Sequence, residues 1–170
     1  LISRLKAAIA KEPDNYTLYS TLGNVYDNLY QRQAEAGNTA KSNEYFNEAL
    51  KYYNQALDKK PKYFDAIYSI GALYYNKAAR IATELNGLSD DLSKEGMKKY
   101  EAKKAEIFAA FDKALPWFQK AEKLDPNDLN TLIALKEIYA RKDDLATSNI
   151  FKERLERVQG GGKNGSSYFK

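Results

Sequence analysis

Two phrases that recur in a fixed order constrain the fold of this chain more than any other feature. The first has apolar or small residues at offsets of four and three, then a proline five residues on, as in Leu1, Leu5, Ala8, Pro13; Ala49, Tyr53, Ala56, Pro61; and Ala114, Phe118, Ala121, Pro126. The second follows each proline, as Tyr19, Leu22, Gly23, Tyr26; Ile67, Ile70, Gly71, Tyr74; and Leu132, Leu135, Lys136, Tyr139. Recurrence of whole phrases at fixed offsets indicates a repeated structural unit.

The spacing inside each phrase is that of a helix with one apolar face, because residues three and four apart lie on the same side of a helix. Small residues within the stripes, such as Gly23 and Ala56, allow two helices to approach closely. Each proline separates the helix before it from the next one. The sequence therefore predicts antiparallel helix pairs, with Asp14/Asn15 and Asn127/Asp128 as caps of the helices that begin there.

These phrases resemble the tetratricopeptide repeat family over roughly residues 1–158. The resemblance implies an all-α fold in which antiparallel helix pairs stack as a right-handed α-solenoid. The length of the unit departs from the family pattern of about 34 residues. The prolines at positions 13, 61 and 126 are 48 and then 65 residues apart, so we expect two helix pairs that are longer than usual.

This reading divides the chain into five segments. Residues 1–13 are expected to be the second helix of a truncated preceding repeat, 14–61 an extended pair, 62–126 a pair with a long hairpin arm, 127–158 a short pair, and 159–170 a Gly/Ser-rich tail. Turns are predicted at Gly37-Asn38-Thr39, after Asn86-Gly87 and at Lys142-Asp143, with the return helix of the arm beginning near Met97.

The tail has the composition of a flexible linker. Two alternatives remain open for its aromatic residues. Tyr168 and Phe169 dock on an apolar surface of this chain or a neighbour, or only contacts from outside the chain order them.

Composition argues against catalysis. The chain contains no Cys, which excludes disulfides, thiolate nucleophiles and cysteine metal sites. It contains no His, which removes the usual general base near neutral pH and the commonest transition-metal ligand. No catalytic motif has the required spacing, so we expect a protein that is not an enzyme and needs no cofactor or metal. No apolar run approaches the roughly 18 residues of a membrane span, and either cytoplasm or periplasm is compatible with the sequence.

Charge does not favour nucleic acid as a partner. Lys and Arg number 27 against 23 Asp and Glu, for a net charge of +4. The densest group of lysines lies between positions 94 and 104 and is interleaved with glutamates, which is typical of a solvated helix face. Many of the 14 Tyr and 7 Phe that could stack on bases or sugars fall at positions of the apolar stripes, whereas Tyr30, Tyr45, Tyr52 and Tyr63 have no assigned position.

The resemblance implies a concave groove, lined by the first helix of each pair, that binds a peptide or protein segment. Asn and Ser can bond a peptide backbone, and Tyr supplies contact area with a polar tip. The alternative is that these are solvated helix faces. The expected groove residues are Thr17, Ser20, Thr21, Asn24, Asp27 and Asn28; Asp65, Tyr68, Ser69, Ala72, Tyr75 and Asn76; and Asn130, Ile133, Ala134, Glu137, Ala140 and Arg141.

One family ligand fits poorly. Members of the family that grip the C-terminal Glu-Glu-Val-Asp of chaperones use a Lys/Asn/Lys/Arg clamp. Asn24 matches the Asn of this clamp, whereas none of the other candidate positions, Ser20, Ser69, Asn130 and Ala134, holds a Lys or Arg. A bidentate cation is missing where a carboxylate would be held, so chaperone-tail binding is not expected.

A second hypothesis is a structural role, in which the hairpin arm of residues 62–126 joins an oligomer or a larger complex. Exposed apolar residues near Leu85, Leu88 and Leu92 would favour it. The identity of the partner, the oligomeric state and the number of repeats in a longer parent protein are not set by the sequence.

Overall fold

The computed structural model describes residues 1–88 and 90–170, and these residues are helical with no strand. The helices are α1 Ile2–Lys11, α2 Tyr16–Glu35, α3 Thr39–Lys59, α4 Phe64–Asn86, α5 Lys94–Leu124, α6 Leu129–Arg141 and α7 Leu145–Gln159. The chain divides into two compact units, Leu1–Leu73 and Tyr74–Lys170, with the boundary inside α4. The all-α prediction is confirmed, and the stacking of pairs into a solenoid stays a prediction.

Short polar side chains begin the helices at the predicted places. The backbone N–H of Thr17 donates to Asn15 Oδ1 at 3.2 Å, and that of Thr131 donates to Asp128 Oδ2 at 3.0 Å. These bonds satisfy backbone donors that have no partner inside the helix. Between α2 and α3, Gly37 adopts a φ of 79°, which glycine adopts without steric cost. The predicted caps and the turn at residues 37–39 are confirmed.

The predicted start of the return helix near Met97 is wrong. Helix α5 begins at Lys94, because Ser93 caps it by accepting a hydrogen bond from the N–H of Gly96 at 3.0 Å. Glycine ordinarily weakens a helix, and Gly96 lies in the first turn of α5. Only glycine fits at this position without a clash, since a Cβ would lie 2.5 Å from the backbone oxygen of Asp91.

Unit 1 is built around the antiparallel packing of α2 on α3. The ring of Tyr30 meets Phe46 edge-on at 5.3 Å, and Tyr26 stacks on Tyr52 at 5.7 Å. Tyr53, the next residue of α3 after Tyr52, is only 1 % exposed. Residues later in α3 contact residues earlier in α2. The two helices therefore run in opposite directions and share one continuous aromatic core.

Unit 2 has its own core, made by the apolar stripes of α5, α6 and α7. The rings of Tyr139 and Phe151 stack with their centroids 5.8 Å apart and join α6 to α7. Part of the stripe predicted for α5 does not contribute, because Lys104 is exposed and Met97 is 58 % exposed. The buried apolar residues of these helices are Ile107, Ala110, Phe111, Ala114, Phe118, Ala121, Leu132, Ala134, Leu135, Ile138, Phe151 and Leu155.

A buried carboxylate fixes the C-terminal tail to unit 2. Glu122 on α5 is completely buried, and its Oε1 accepts hydrogen bonds from Arg154 Nη2 at 3.2 Å and from the backbone N–H of Tyr168 at 2.9 Å. The hydroxyl of Ser167 donates to the other carboxylate oxygen. A buried charge is tolerated only when paired and hydrogen-bonded, so the tail supplies part of what Glu122 requires.

The tail also has a polar anchor and an aromatic one. Asn164 is buried, its backbone N–H donates to Asn127 Oδ1 at 2.7 Å, and its side-chain Nδ2 donates to the carbonyl of Pro126 at 3.0 Å. Phe169 stacks on Phe151 of α7 at 5.7 Å. Of the two alternatives open for the tail, the structure therefore has it docked on this chain's own surface.

Replacing Gly23 by alanine is expected to destabilise the chain by about 1–3 kcal/mol, the usual cost of overpacking a core. The added Cβ would lie 2.6 Å from ring atoms of Tyr53, which is buried and cannot move aside. Urea unfolding of Gly23→Ala measures the change. Gly165→Ala is the control, because a Cβ there meets nothing within 4 Å. Equal stability of the two variants would contradict the close helix approach.

Replacing Ser167 by alanine is expected to lower the free energy of unfolding by about 1–3 kcal/mol, because a buried carboxylate loses a donor. The neighbouring Ser166 gives a matched control, since it contacts Arg154 through its backbone carbonyl and not through its hydroxyl. Ser166→Ala should change stability by no more than about 0.5 kcal/mol. Thermal and urea unfolding of both variants would show whether the tail is part of the fold.

Candidate functional site

One face of α2 is polar at positions 17, 20, 21 and 24, which recur at helical spacing opposite the stripe that packs on α3. In unit 1 this face meets the first turns of α4 across a cavity of about 390 Å³. A volume of this size falls within the range of ligand sites. The lining residues are Thr17, Ser20, Thr21, Asn24, Tyr63, Asp65, Tyr68 and Ser69.

The turn before α4 is tied to the start of α2 by an aromatic pair. The rings of Tyr16 and Tyr63 meet edge-on at 4.8 Å. The ammonium of Lys60 lies 4.6 Å from the centroid of Tyr16 and 5.4 Å from that of Tyr63. These contacts hold Tyr63 at the cavity, while Lys60 itself is outside the lining.

Tyr53 on α3 holds a residue of the polar face of α2 through its hydroxyl group. Its buried hydroxyl donates to Asn24 Oδ1 at 2.8 Å and lies 3.2 Å from Asp27 Oδ2. Because the carbonyl oxygen of Asn24 is used in this bond, its Nδ2 group is the part available to a ligand. One residue of α3 thus orients a lining residue of α2.

The electrostatics of this network follow from burial. Burial raises the pKa of Tyr53 well above its ordinary value, and the neighbouring Asp27 carboxylate adds to the rise. Burial also raises the pKa of Asp27, against the effect of hydrogen bonds from Gln31 and Tyr53. The Tyr53 hydroxyl therefore keeps its proton and acts as a fixed donor.

Among the site residues predicted from the sequence, those in unit 1 divide into two groups. Seven line the cavity, namely Thr17, Ser20, Thr21, Asn24, Asp65, Tyr68 and Ser69. Asp27 lies outside the lining, in the network of Tyr53, and accepts a hydrogen bond from Gln31 Nε2 at 2.9 Å. Asn28 is exposed on α2 outside the lining.

In unit 2, two predicted residues converge on the ring of Phe111. Tyr75 meets this ring edge-on at 5.5 Å, and the guanidinium of Arg141 lies over it at 5.3 Å. Glu137 is half-buried, and its Oε1 lies 3.7 Å from the Nζ of Lys136. Asn76 is half-buried on α4, and Asn130 is exposed on α6.

Arg141 also lines a second cavity, of about 380 Å³, between helices of unit 2. Its other lining residues are Ala82, Leu85, Asn86, Lys104, Ile107, Phe108 and Phe111. This cavity is more apolar than the one in unit 1. The sequence pattern placed Lys104 only in the lysine-rich segment of residues 94–104 and did not connect it with Arg141, which is 37 positions further along the chain.

Two residues of the unit 1 site were missed. Tyr53 was expected only as core, because its stripe position predicts burial but not the direction of its hydroxyl. Tyr63 had no assigned role, although its place two residues after Pro61 puts it at the entry of α4. Its position beside a helix whose face was predicted to bind was the available signal.

Within residues 1–88 and 90–170, no group of three or more Asp or Glu side chains comes together in a way that could hold a metal ion. None of the helices described is both long enough and apolar enough to cross a bilayer.

Replacing Tyr53 by phenylalanine is expected to destabilise the chain by about 1 kcal/mol, because Asn24 and Asp27 lose their shared donor while the ring packing is kept. The side-chain amide resonances of Asn24 should shift in the NMR spectrum. Tyr45→Phe is the control, since Tyr45 contacts Tyr26 only through its ring. Unchanged Asn24 resonances in Tyr53→Phe would contradict the positioning role.

Comparison with known proteins gives one similarity of note. The chain is 29 % identical over 139 residues to the Hsp70-Hsp90 organizing protein of Triticum aestivum. The match covers 77 % of this chain and 23 % of that protein, so the chain spans about a quarter of the length of its relative. No protein-family model matches the sequence. This chain is therefore similar, over most of its own length, to part of a protein named for organizing two others.

Proposed function

We propose that this chain is a non-enzymatic scaffold that binds an extended segment of another protein in the cavity between α2 and α4 of unit 1. The observation that carries the proposal is the cavity itself, with polar side chains from two helices facing one space. A peptide backbone presents donors and acceptors at regular intervals, and hydroxyl and amide side chains are suited to bond it.

The construction of the site supports binding over mere solvation. Asn24 is held by the buried hydroxyl of Tyr53 at 2.8 Å, and Tyr63 is held by Tyr16. Side chains that are fixed before a ligand arrives lose less conformational entropy on binding. Freely solvated helix faces do not require this support.

The similarity to an organizing protein supports a role in protein–protein interaction. The relative's name refers to Hsp70 and Hsp90. We do not extend those partners to this chain, because no Lys or Arg lines the unit 1 cavity. In our proposal the helices are tetratricopeptide-like pairs, and Tyr75, Glu137 and Arg141 form a further binding surface within unit 2.

The test is selection of binding peptides from a displayed random library with the full chain as bait. Affinities are then measured by fluorescence anisotropy for the full chain and for a double variant, Asn24→Ala with Tyr68→Ala. We expect the double variant to weaken binding at least about tenfold, since truncating each of two energetically important contacts costs about 1 kcal/mol or more and about 1.4 kcal/mol corresponds to a factor of ten. Circular dichroism establishes that the variant is folded.

Asn54→Ala provides the matched control, because Asn54 is exposed on α3 and its side chain bonds only the Leu50 carbonyl at 3.0 Å. It should bind as tightly as the original chain. If the selected peptides bind the double variant and the control equally well, the proposed function is wrong.

A second candidate is an assembly role for the end of the α4–α5 pair. Leu92 is 82 % exposed there and Met97 is 58 % exposed, and apolar exposure of this kind marks interaction sites. A cavity of about 290 Å³ is lined by Leu88, Asp91, Leu92, Met97, Tyr100 and Glu101. Peptide binding that resists the groove substitutions but is lost in Leu92→Lys would favour this candidate.

A further inference from the structure

We infer that the segment held in the unit 1 cavity inserts a cationic side chain, lysine or arginine, and not a carboxylate. This inference rests on the proposed function and names the chemistry of the partner. It follows from which atoms of the cavity still have hydrogen-bonding capacity, from the charge of the lining and from its aromatic faces.

Three hydroxyl groups of the lining already donate their protons within the chain. The hydroxyl of Thr17 donates to Asn15 Oδ1 at 2.6 Å, that of Thr21 to the Thr17 carbonyl at 2.7 Å, and that of Ser20 to the same carbonyl at 3.0 Å. A hydroxyl has one proton and two lone pairs. These three groups therefore accept hydrogen bonds from donors of a ligand, and the Nδ2 group of Asn24 is left to donate to a carbonyl of the bound segment.

The charge of the lining also favours a cationic ligand. Asp65, in the first turn of α4, is the one formally charged side chain among the eight lining residues. It is exposed, and no ion pair found among the described residues involves it. Asp27 adds a half-buried carboxylate next to Asn24 through the shared Tyr53 hydroxyl. A carboxylate ligand would be repelled by Asp65 and would find no cation in the lining.

The aromatic residues are suited to an ammonium or guanidinium group. A cation within about 6 Å of a Tyr centroid is attracted by the face of the ring. The chain itself provides an example at the edge of the site, where Lys60 lies 5.4 Å from the centroid of Tyr63. Lys60 is not a lining residue and is engaged with Tyr16, whose hydroxyl lies 3.3 Å from its Nζ.

The experiment is an NMR titration of the ¹⁵N-labelled full chain with single-residue probes. The cationic probes are Nα-acetyl-lysine N-methylamide and Nα-acetyl-arginine N-methylamide. The matched probes are the Nε-acetylated lysine compound, which lacks the charge, and Nα-acetyl-glutamate N-methylamide. We expect both cationic probes, and neither matched probe, to shift the amide signals of residues 17–24 and 65–69.

Substitution tests whether the lining charge is responsible. Asp65→Asn keeps the shape and removes the charge, so it should weaken the lysine probe about threefold to fivefold, as for an exposed ion pair. Asp58→Asn, an exposed position on α3 outside the lining, should leave the binding unchanged. Equal shifts with the glutamate probe, or no shift with either cationic probe, would overturn the inference.

The outcomes separate the inference from the proposed function. Peptides that bind through the groove but carry no Lys or Arg needed for binding would leave the proposed function standing and overturn the inference. The lysine probe could instead bind at residues 17–24 and 65–69 while the chain selects no peptide that depends on the cavity. That result would overturn the proposed function and leave the inference of a cation site standing.

Discussion

The ring of Tyr53 lies against Gly23, and the architecture of unit 1 depends on this contact. Because glycine has no Cβ, α2 and α3 approach closely enough for a buried tyrosine to reach across the pair. Its hydroxyl then emerges beneath the polar face of α2 and holds Asn24. Packing of the core and the orientation of Asn24 on the polar face therefore rest on one side chain, and a change that shifts its ring should affect both.

In unit 2 the C-terminal tail packs on α5 and α7, with Phe169 on Phe151 and two polar groups on Glu122. A buried glutamate would be costly without these donors and Arg154. The glycine-rich start of the tail serves to reverse the chain, with Gly161 at a φ of 88°.

Residue patterns within a few positions of each other predicted where the helices lie. They predicted some helix ends correctly and misplaced the start of α5. Asn15 and Asp128 could be recognised as caps because capping involves residues two or three positions apart. The start of α5 was misplaced because Ser93 and Gly96 act together with Asp91 across a turn, which periodicity does not register. Within the candidate site, the repeat pattern placed Asn24 and Tyr68 on the predicted face, gave Tyr53 only a core role and gave Tyr63 no role.

The sequence by itself determined that this chain forms paired helices, since apolar stripes and prolines recur at fixed offsets. It also determined which face of α2 is polar, because that face follows from the 3.6-residue period alone. Only the tertiary structure decided which side chains of other helices meet this polar face. Hydrogen bonds such as those of Tyr53 to Asn24 and of Tyr168 to Glu122 join residues 29 and 46 positions apart, and no local pattern specifies which distant donor meets which acceptor.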